Sequence, residues 1–263
     1  MILWCDGVHD VAENMRRDAA LLAAAERGAP PVLRAFAFSP PGITLGMNQV
    51  PARELDLGRC DADGVEWAQR PTGGRAIFHA QEWTYALAVP RDHPDWGGRP
   101  EDTYDRASAL VLRALVRLGV PAAQVSRRGG VAVASNFRGP SAAPCFASTA
   151  RYEVVVGDGK LVGSAQRRTA RATLQQGSIL LGDGHLRIAD YLSLGAGARE
   201  RVREALRRAA ATAAPWLGSE PPLERFADAL HAEIGPRSTR VDGASGAFLL
   251  TASGTGSYTA PAA

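Results

Sequence analysis

The chain has 263 residues, 46% of them hydrophobic and 22% charged, enough to bury one large core and too apolar to be disordered along its whole length. Thirty basic and 27 acidic residues leave a net charge of +3, and no basic run is long enough to follow a phosphate backbone, which argues against nucleic acid as a partner. Of the 30 basic residues one, Lys160, is lysine and 29 are arginine; a lone lysine among arginines hints at chemistry that needs a primary amine and not charge alone.

The N-terminal stretch carries Asp6, His9, Asp10 and Glu13 and lacks the charged-then-apolar layout of a signal peptide. Val11, Met15, Ala19 and Leu22 are spaced for a helix over 10–27, stopped by Gly28 and two prolines. Short runs bounded by Gly, Pro or Asp predict strands at 32–38, 43–46, 65–69, 76–79 and 84–89. A helix is expected over 103–118, with Ala107, Val111, Leu115 and Leu118 facing inward. Residues 152–156 and 160–166 around Gly157-Asp158-Gly159 predict a β-hairpin, with another strand over 173–181. Amphipathic helices follow at 199–211 and 223–234, the second on a stripe of Leu223, Phe226, Ala227 and Leu230. The stretch 243–263, rich in Gly, Ala, Ser and Thr, is expected to be a flexible tail. Strands first and then strands mixed with helices give an α+β fold, one mixed or largely antiparallel sheet flanked by helices, in a single domain over 1–242.

No apolar run approaches the roughly 20 residues that cross a bilayer. Cys5, Cys60 and Cys145 are odd in number and far apart, without CxxC or paired histidines, so neither a disulfide framework nor a metal site is expected. These features predict a cytoplasmic protein with reduced thiols.

The Gly157-Asp158-Gly159-Lys160 turn is not a phosphate-binding loop, because Leu161 stands where Ser or Thr is needed. GxSxG and HExxH are absent as well. Three clusters remain. Arg70-Pro71-Thr72-Gly73-Gly74-Arg75 enters an apolar strand ending at His79; adjacent glycines let a backbone approach a ligand while arginines bracket it, although a plain hairpin loop would look the same. Cys145-Phe146 precedes the hairpin, and a lone cysteine is most often a small buried hydrophobe. Gly163-Ser164-Ala165-Gln166 and Gln175-Gln176-Gly177-Ser178 put more small polar residues into strands than a pure core would hold.

Together, and in this order, the clusters resemble the biotin/lipoate protein ligase superfamily, in particular its cysteine-dependent octanoyltransferases. The similarity runs from about residue 14 to 181 and includes Arg70-Pro-Thr-Gly-Gly-Arg-Ala76, His79-x-Gln81-Glu82-x-Thr84-Tyr85, Cys145-Phe146, Gly159-Lys160-Leu-Val-Gly-Ser-Ala-Gln166 and Leu174-Gln-x-Gly-Ser-Ile-Leu-Leu181. Two positions depart from the pattern: Ala80 stands where aspartate is usual, and Gln176 where histidine is usual.

The resemblance implies the class II synthetase-like fold of biotin protein ligases. It also implies transfer of an octanoyl group from octanoyl-acyl-carrier protein, through a cysteine thioester, to a lysine of a lipoyl domain such as the glycine cleavage H protein. Cys145 and Lys160 are then the catalytic pair. Arg70, Thr72, Gly73, Gly74, Arg75, His79, Ser164, Gln166, Gly177 and Ser178 are the expected substrate-binding residues, and no cofactor is required. The alternatives are an ATP- and magnesium-dependent lipoate-protein ligase, an amidotransferase between lipoyl domains, and a non-catalytic binder of acyl-carrier or lipoyl domains.

Overall fold

The structure, a computed structural model, describes residues 1–125, 153–218, 220–236 and 238–251. Among these the strands are β1 (Ile2–His9), β2 (Val32–Phe38), β3 (Gly42–Leu45), β4 (Trp67–Gln69), β5 (Ile77–His79), β6 (Glu82–Pro90), β7 (Ala123–Val125), β8 (Glu153–Val156), β9 (Gly159–Arg168), β10 (Ala172–Leu180) and β11 (Thr239–Asp242). The helices are α1 (Val11–Glu26), α2 (Pro51–Glu54), α3 (Leu57–Ala62), α4 (Pro100–Arg117), α5 (Ile188–Tyr191), α6 (Ala196–Ala209), α7 (Ala214–Leu217) and α8 (Leu223–Ile234). Eight strands form one mixed sheet in the order β11-β1-β2-β6-β10-β9-β8-β7, and β4-β3-β5 form a smaller one. The expected α+β class with a mixed sheet flanked by helices is therefore present.

Strand alternation decides which face each core occupies. Leu3, Leu33, Trp83, Tyr85 and Ile179 point to the side covered by α4 and α8, where Trp83 stacks on Phe226 with centroids 5.2 Å apart. Ile2, Trp4, Phe36, Ala86 and Leu174 point the other way, onto Leu21, Leu22 and Leu249. A third cluster joins the small sheet to α5 and α6 through Ile43, Phe78, Tyr191 and Leu206.

α1 starts at Asp10, whose carboxylate accepts the Glu13 N–H at 2.7 Å, an N-cap that satisfies one of the helix's open donors. Its inner stripe departs from the expected one. Ala19 is exposed, whereas Asn14 and Asp18 are fully buried. The cause is Arg34 on β2, also fully buried. Arg34 Nε donates to Asp6 at 2.7 Å, Nη1 to Asp18 at 2.7 Å, and Nη2 to Asn14 at 2.6 Å. Its guanidinium also lies 3.8 Å from the Phe36 ring centroid, which adds a cation–π attraction.

One other expectation changes. The hairpin turns at Gly157-Asp158, with Gly157 at φ +57, while Gly159 already belongs to β9. In the stretch expected to be a tail, Gly243–Leu250 form a 3₁₀ helix against β1, with the Trp4 indole N–H donating to Gly243 O at 2.8 Å. A Cβ at Gly246 would lie 2.2 Å from that indole nitrogen, so close approach requires glycine there.

Removing one member of a buried charge cluster leaves its partners uncompensated, at a cost of about 3–5 kcal/mol. Arg34→Met should therefore lower the free energy of unfolding by about that amount, seen as a fall in the urea midpoint at unchanged slope.

Candidate functional site

The loop between β4 and β5 carries Arg70 to Arg75, and its shape follows from Arg70. The guanidinium is buried and faces inward, donating to Gly73 O from Nε (3.0 Å) and Nη2 (2.8 Å), to Arg75 O from Nη2 (2.8 Å), and to Thr44 Oγ1 from Nη1 (3.1 Å). Its donors are engaged by the protein. Gly74 has φ +91, which favours glycine, and its carbonyl lies 2.1 Å from where a Cβ at Gly46 would be. Around Gly73 a Cβ would meet nothing within 4 Å, so there the loop leaves open space. Thr72 is fully buried, and its hydroxyl donates to Gln176 Oε1 at 2.6 Å.

Beneath the loop lies a narrow cavity of about 30 Å³ bounded by Met15, Phe38, Thr44, Arg70, Ile77, His79, Thr84, Gly163, Ser164, Ala165, Gln176, Gly177 and Ser178. Met15, Phe38 and Ile77 give it an apolar wall suited to a hydrocarbon chain.

His79 is buried, stacked on Phe38 at 3.9 Å between centroids, and held at both nitrogens: Nδ1 lies 2.5 Å from Glu82 Oε1 and Nε2 2.7 Å from Thr44 Oγ1. Ser178 donates to the same Glu82 oxygen at 3.1 Å. On β10, even-numbered positions face α1 and odd-numbered ones face α4, so Gln176 and Ser178 share one side and Gly177 takes the other. A Cβ at Gly177 would meet the Tyr85 ring at 2.4 Å; this glycine is required by aromatic packing. Ser164, paired with Gly177 across β9 and β10, bounds the cavity while its hydroxyl lies 3.0 Å from Tyr85 Oη. Gln166 does not reach the cavity. It donates to Pro100 O and Gln175 Oε1, both at 3.3 Å.

Lys160 is 7% exposed, and its Nζ donates to Glu153 Oε1 at 2.5 Å across the β8–β9 hairpin. It is therefore not a solvated turn residue. It stands four positions before Ser164 on β9, about 13 Å along the strand. Cys145 lies outside the described residues. Cys5 and Cys60 are both buried and free. Burial, followed by Asp242, pushes the Cys5 thiol up to about 11; burial, followed by Asp56, also raises Cys60.

Sequence reasoning missed Thr44 and Glu153 as partners of site residues, and it placed Glu82 within a motif without a role. Each is a polar residue in an apolar strand run, a signal of burial that does not reveal the partner.

Departures from the family pattern acquire a physical reading. The Ala80 methyl points toward Gly184 and packs on the core beneath the small sheet. Gln176 Nε2 donates to Asp18 Oδ2 at 2.5 Å while its Oε1 accepts from Thr72, so one amide links the glycine loop to α1. Burial raises the Asp18 carboxyl above its ordinary range, and Arg34 opposes that rise. Among the described residues no cluster of His, Cys, Asp or Glu could hold a metal ion, and no helix is long and apolar enough to cross a membrane.

Comparison with known proteins follows the same outline. The family model described as the lipoyl protein ligase A/B catalytic domain matches residues 10–235. Octanoyltransferase LipM of Kyrpidia tusciae is 36% identical over 242 residues, covering 88% of this chain and 87% of that protein. Octanoyltransferase LipM of Halalkalibacterium halodurans is 32% identical over 209 residues, covering 77% and 72%. A bipartite lipoate protein ligase of Thermoplasma acidophilum, solved in a study with its E2 lipoyl domain, superposes with a TM-score of 0.66 at 18% identity, over 95% of this chain and 90% of that one. This last likeness is one of fold. With the catalytic-domain model spanning residues 10–235 and relatives above 30% identity along the chain, the protein belongs to the lipoyl protein ligase A/B catalytic-domain family.

Proposed function

We propose that this chain is an octanoyltransferase of protein lipoylation that accepts the octanoyl group from octanoyl-acyl-carrier protein as a thioester on Cys145. It then delivers the group to a lysine of a lipoyl domain, with the glycine cleavage H protein as a representative acceptor. The observation that carries the reading is an apolar-walled cavity under the glycine loop, built on the same strand as the chain's single, buried lysine. Relatives named octanoyltransferase at 36% and 32% identity support the same chemistry.

In this scheme the Cys145 thiolate attacks the thioester carbonyl, the carrier's thiolate leaves, and one thioester replaces another at little cost in free energy. The acceptor amine then attacks the acyl-enzyme carbonyl, the cysteine sulfur departs, and an amide forms. No nucleotide enters either step. Lys160 supplies a positive charge and a donor for the oxygen that becomes negative in each tetrahedral intermediate. Glu153 holds the ammonium in a fixed place before substrate arrives. Cys5 and Cys60 are poor candidates for the nucleophile, because burial keeps them as thiols. The lysine that receives the acyl group belongs to another protein, since this chain has none besides Lys160.

Incubation with octanoyl-acyl-carrier protein without ATP should yield an octanoyl adduct by intact mass that hydroxylamine removes and that Cys145→Ser cannot form. Transfer seen only with ATP would overturn the reading in favour of a ligase. Lys160→Arg keeps the charge but changes the shape of the donor, and should lower the transfer rate by roughly 10² to 10³. At pH 8 a thiol raised to about 11 is ionised to only about one part in a thousand. Iodoacetamide should therefore modify one thiol quickly, and peptide mapping should place the label on Cys145, with Cys5 and Cys60 labelled only after unfolding.

A further inference from the structure

Glu82 opens β6 and is 6% exposed. One of its oxygens, Oε1, accepts from His79 Nδ1 (2.5 Å), Thr84 Oγ1 (2.9 Å) and Ser178 Oγ (3.1 Å), while Oε2 has no hydrogen-bond partner among the described residues. A buried carboxylate is costly to keep, and the proposed chemistry gives this one no direct task.

The donors and acceptors around it suit one order best. A guanidinium only donates, so Thr44 Oγ1 accepts from Arg70 Nη1 at 3.1 Å. The hydroxyl still has its own proton to give, and His79 Nε2, 2.7 Å away, is the acceptor within reach. A ring nitrogen that accepts carries no proton, which places the proton of the neutral imidazole on Nδ1, where the Glu82 carboxylate accepts it. The reverse tautomer would set an unprotonated Nδ1 against a carboxylate oxygen at 2.5 Å, two acceptors with no proton between them. Phe38, stacked at an interplanar angle of 17°, fixes the ring plane. At the far end of the relay, the other Arg70 nitrogens hold Gly73 O and Arg75 O. Ala80, next to His79 in sequence, has no carboxylate to offer, and its methyl packs on the core beneath the small sheet.

We infer that Glu82 is a positioning residue: it fixes His79 as the Nδ1–H tautomer and, through the Thr44 hydroxyl and Arg70, seats the Gly73–Arg75 backbone over the acyl cavity. The Glu82 carboxylate touches no substrate in this arrangement. The use of the seated loop to hold an acyl chain rests on the octanoyltransferase reading, whereas the tautomer does not.

The test has two arms. Nitrogen NMR of the imidazoles in the intact protein should show His79 protonated at Nδ1, and Glu82→Leu should move that proton to Nε2, while Glu82→Gln, which keeps an acceptor, should leave it at Nδ1. Binding of an octyl-pantetheine thioether, a non-reacting stand-in for the donor, should weaken roughly tenfold in Thr44→Val, the scale of one lost hydrogen bond. Thr44→Ser should restore it, and the melting temperatures of the two Thr44 variants should agree within a few degrees. An Nε2–H tautomer in the unaltered protein, or undiminished thioether binding by Thr44→Val, would overturn the inference. Failure of the unaltered protein to bind the thioether at all would instead count against the octanoyl reading, with the NMR arm still deciding the role of Glu82.

Discussion

Arg34 is the constraint on which the placement of the site depends. A guanidinium taken fully out of water is tolerated only when its donors are met, and here Asp6, Asn14 and Asp18 meet them from β1 and α1. That requirement fixes the rotation of α1, because Asn14 and Asp18 must face the sheet while Ala19 faces solvent. The same rotation brings Met15 to the cavity wall and the second Asp18 oxygen to Gln176. From Gln176 the network passes to Thr72 in the glycine loop. The loop that roofs the cavity is therefore anchored in the buried charge cluster beside Trp4 and Phe36.

A second anchor approaches from the small sheet, through Arg70, Thr44 and His79 to Glu82. Two independent ties converge on a loop of six residues, one at Thr72 and one at the carbonyls of Gly73 and Arg75. Such a loop is organised before ligand arrives, so little conformational entropy remains to be lost on binding. This also explains why arginine suits position 70. Five donors in a rigid fork can hold two loop carbonyls and a strand hydroxyl at once, which an ammonium on a flexible stem does less well.

Much of the fold was legible because periodicity and punctuation agreed. The stripe Leu223, Phe226, Ala227 and Leu230 is buried as spaced, and the strand over 32–38 has those bounds. β1 escaped notice because Asp6 and Gly7 interrupt Ile2-Leu3-Trp4-Cys5. In the structure Asp6 turns inward to Arg34, and the register with β2 shifts between Cys5 and Gly7. The docked turn after Gly243 was hidden for a related reason. Its glycine-rich composition resembles a linker, yet Gly246 is small because Trp4 occupies the space a side chain would need. At the site the residue types were readable and their directions were not. Arginines flanking a glycine pair look the same in sequence whether they reach outward to a ligand or, like Arg70, inward to carbonyls.

The two departures from the family pattern follow from the same logic of direction. A neutral imidazole offers one donor and one acceptor, and so does the side-chain amide of Gln176, which donates to Asp18 and accepts from Thr72. The exchange thus preserves the polarity of the link while removing a group that could take up a proton beside a buried carboxylate. Asp18 then has Arg34 as its cation, and the charge count within the cluster stays independent of the loop above it. Ala80 lies off both networks, half-buried against Gly184. The carboxylate that acts on His79 comes from Glu82, two residues beyond Ala80 along the chain and on the inner face of β6, so a residue that differs from the family at position 80 leaves the relay to the loop complete.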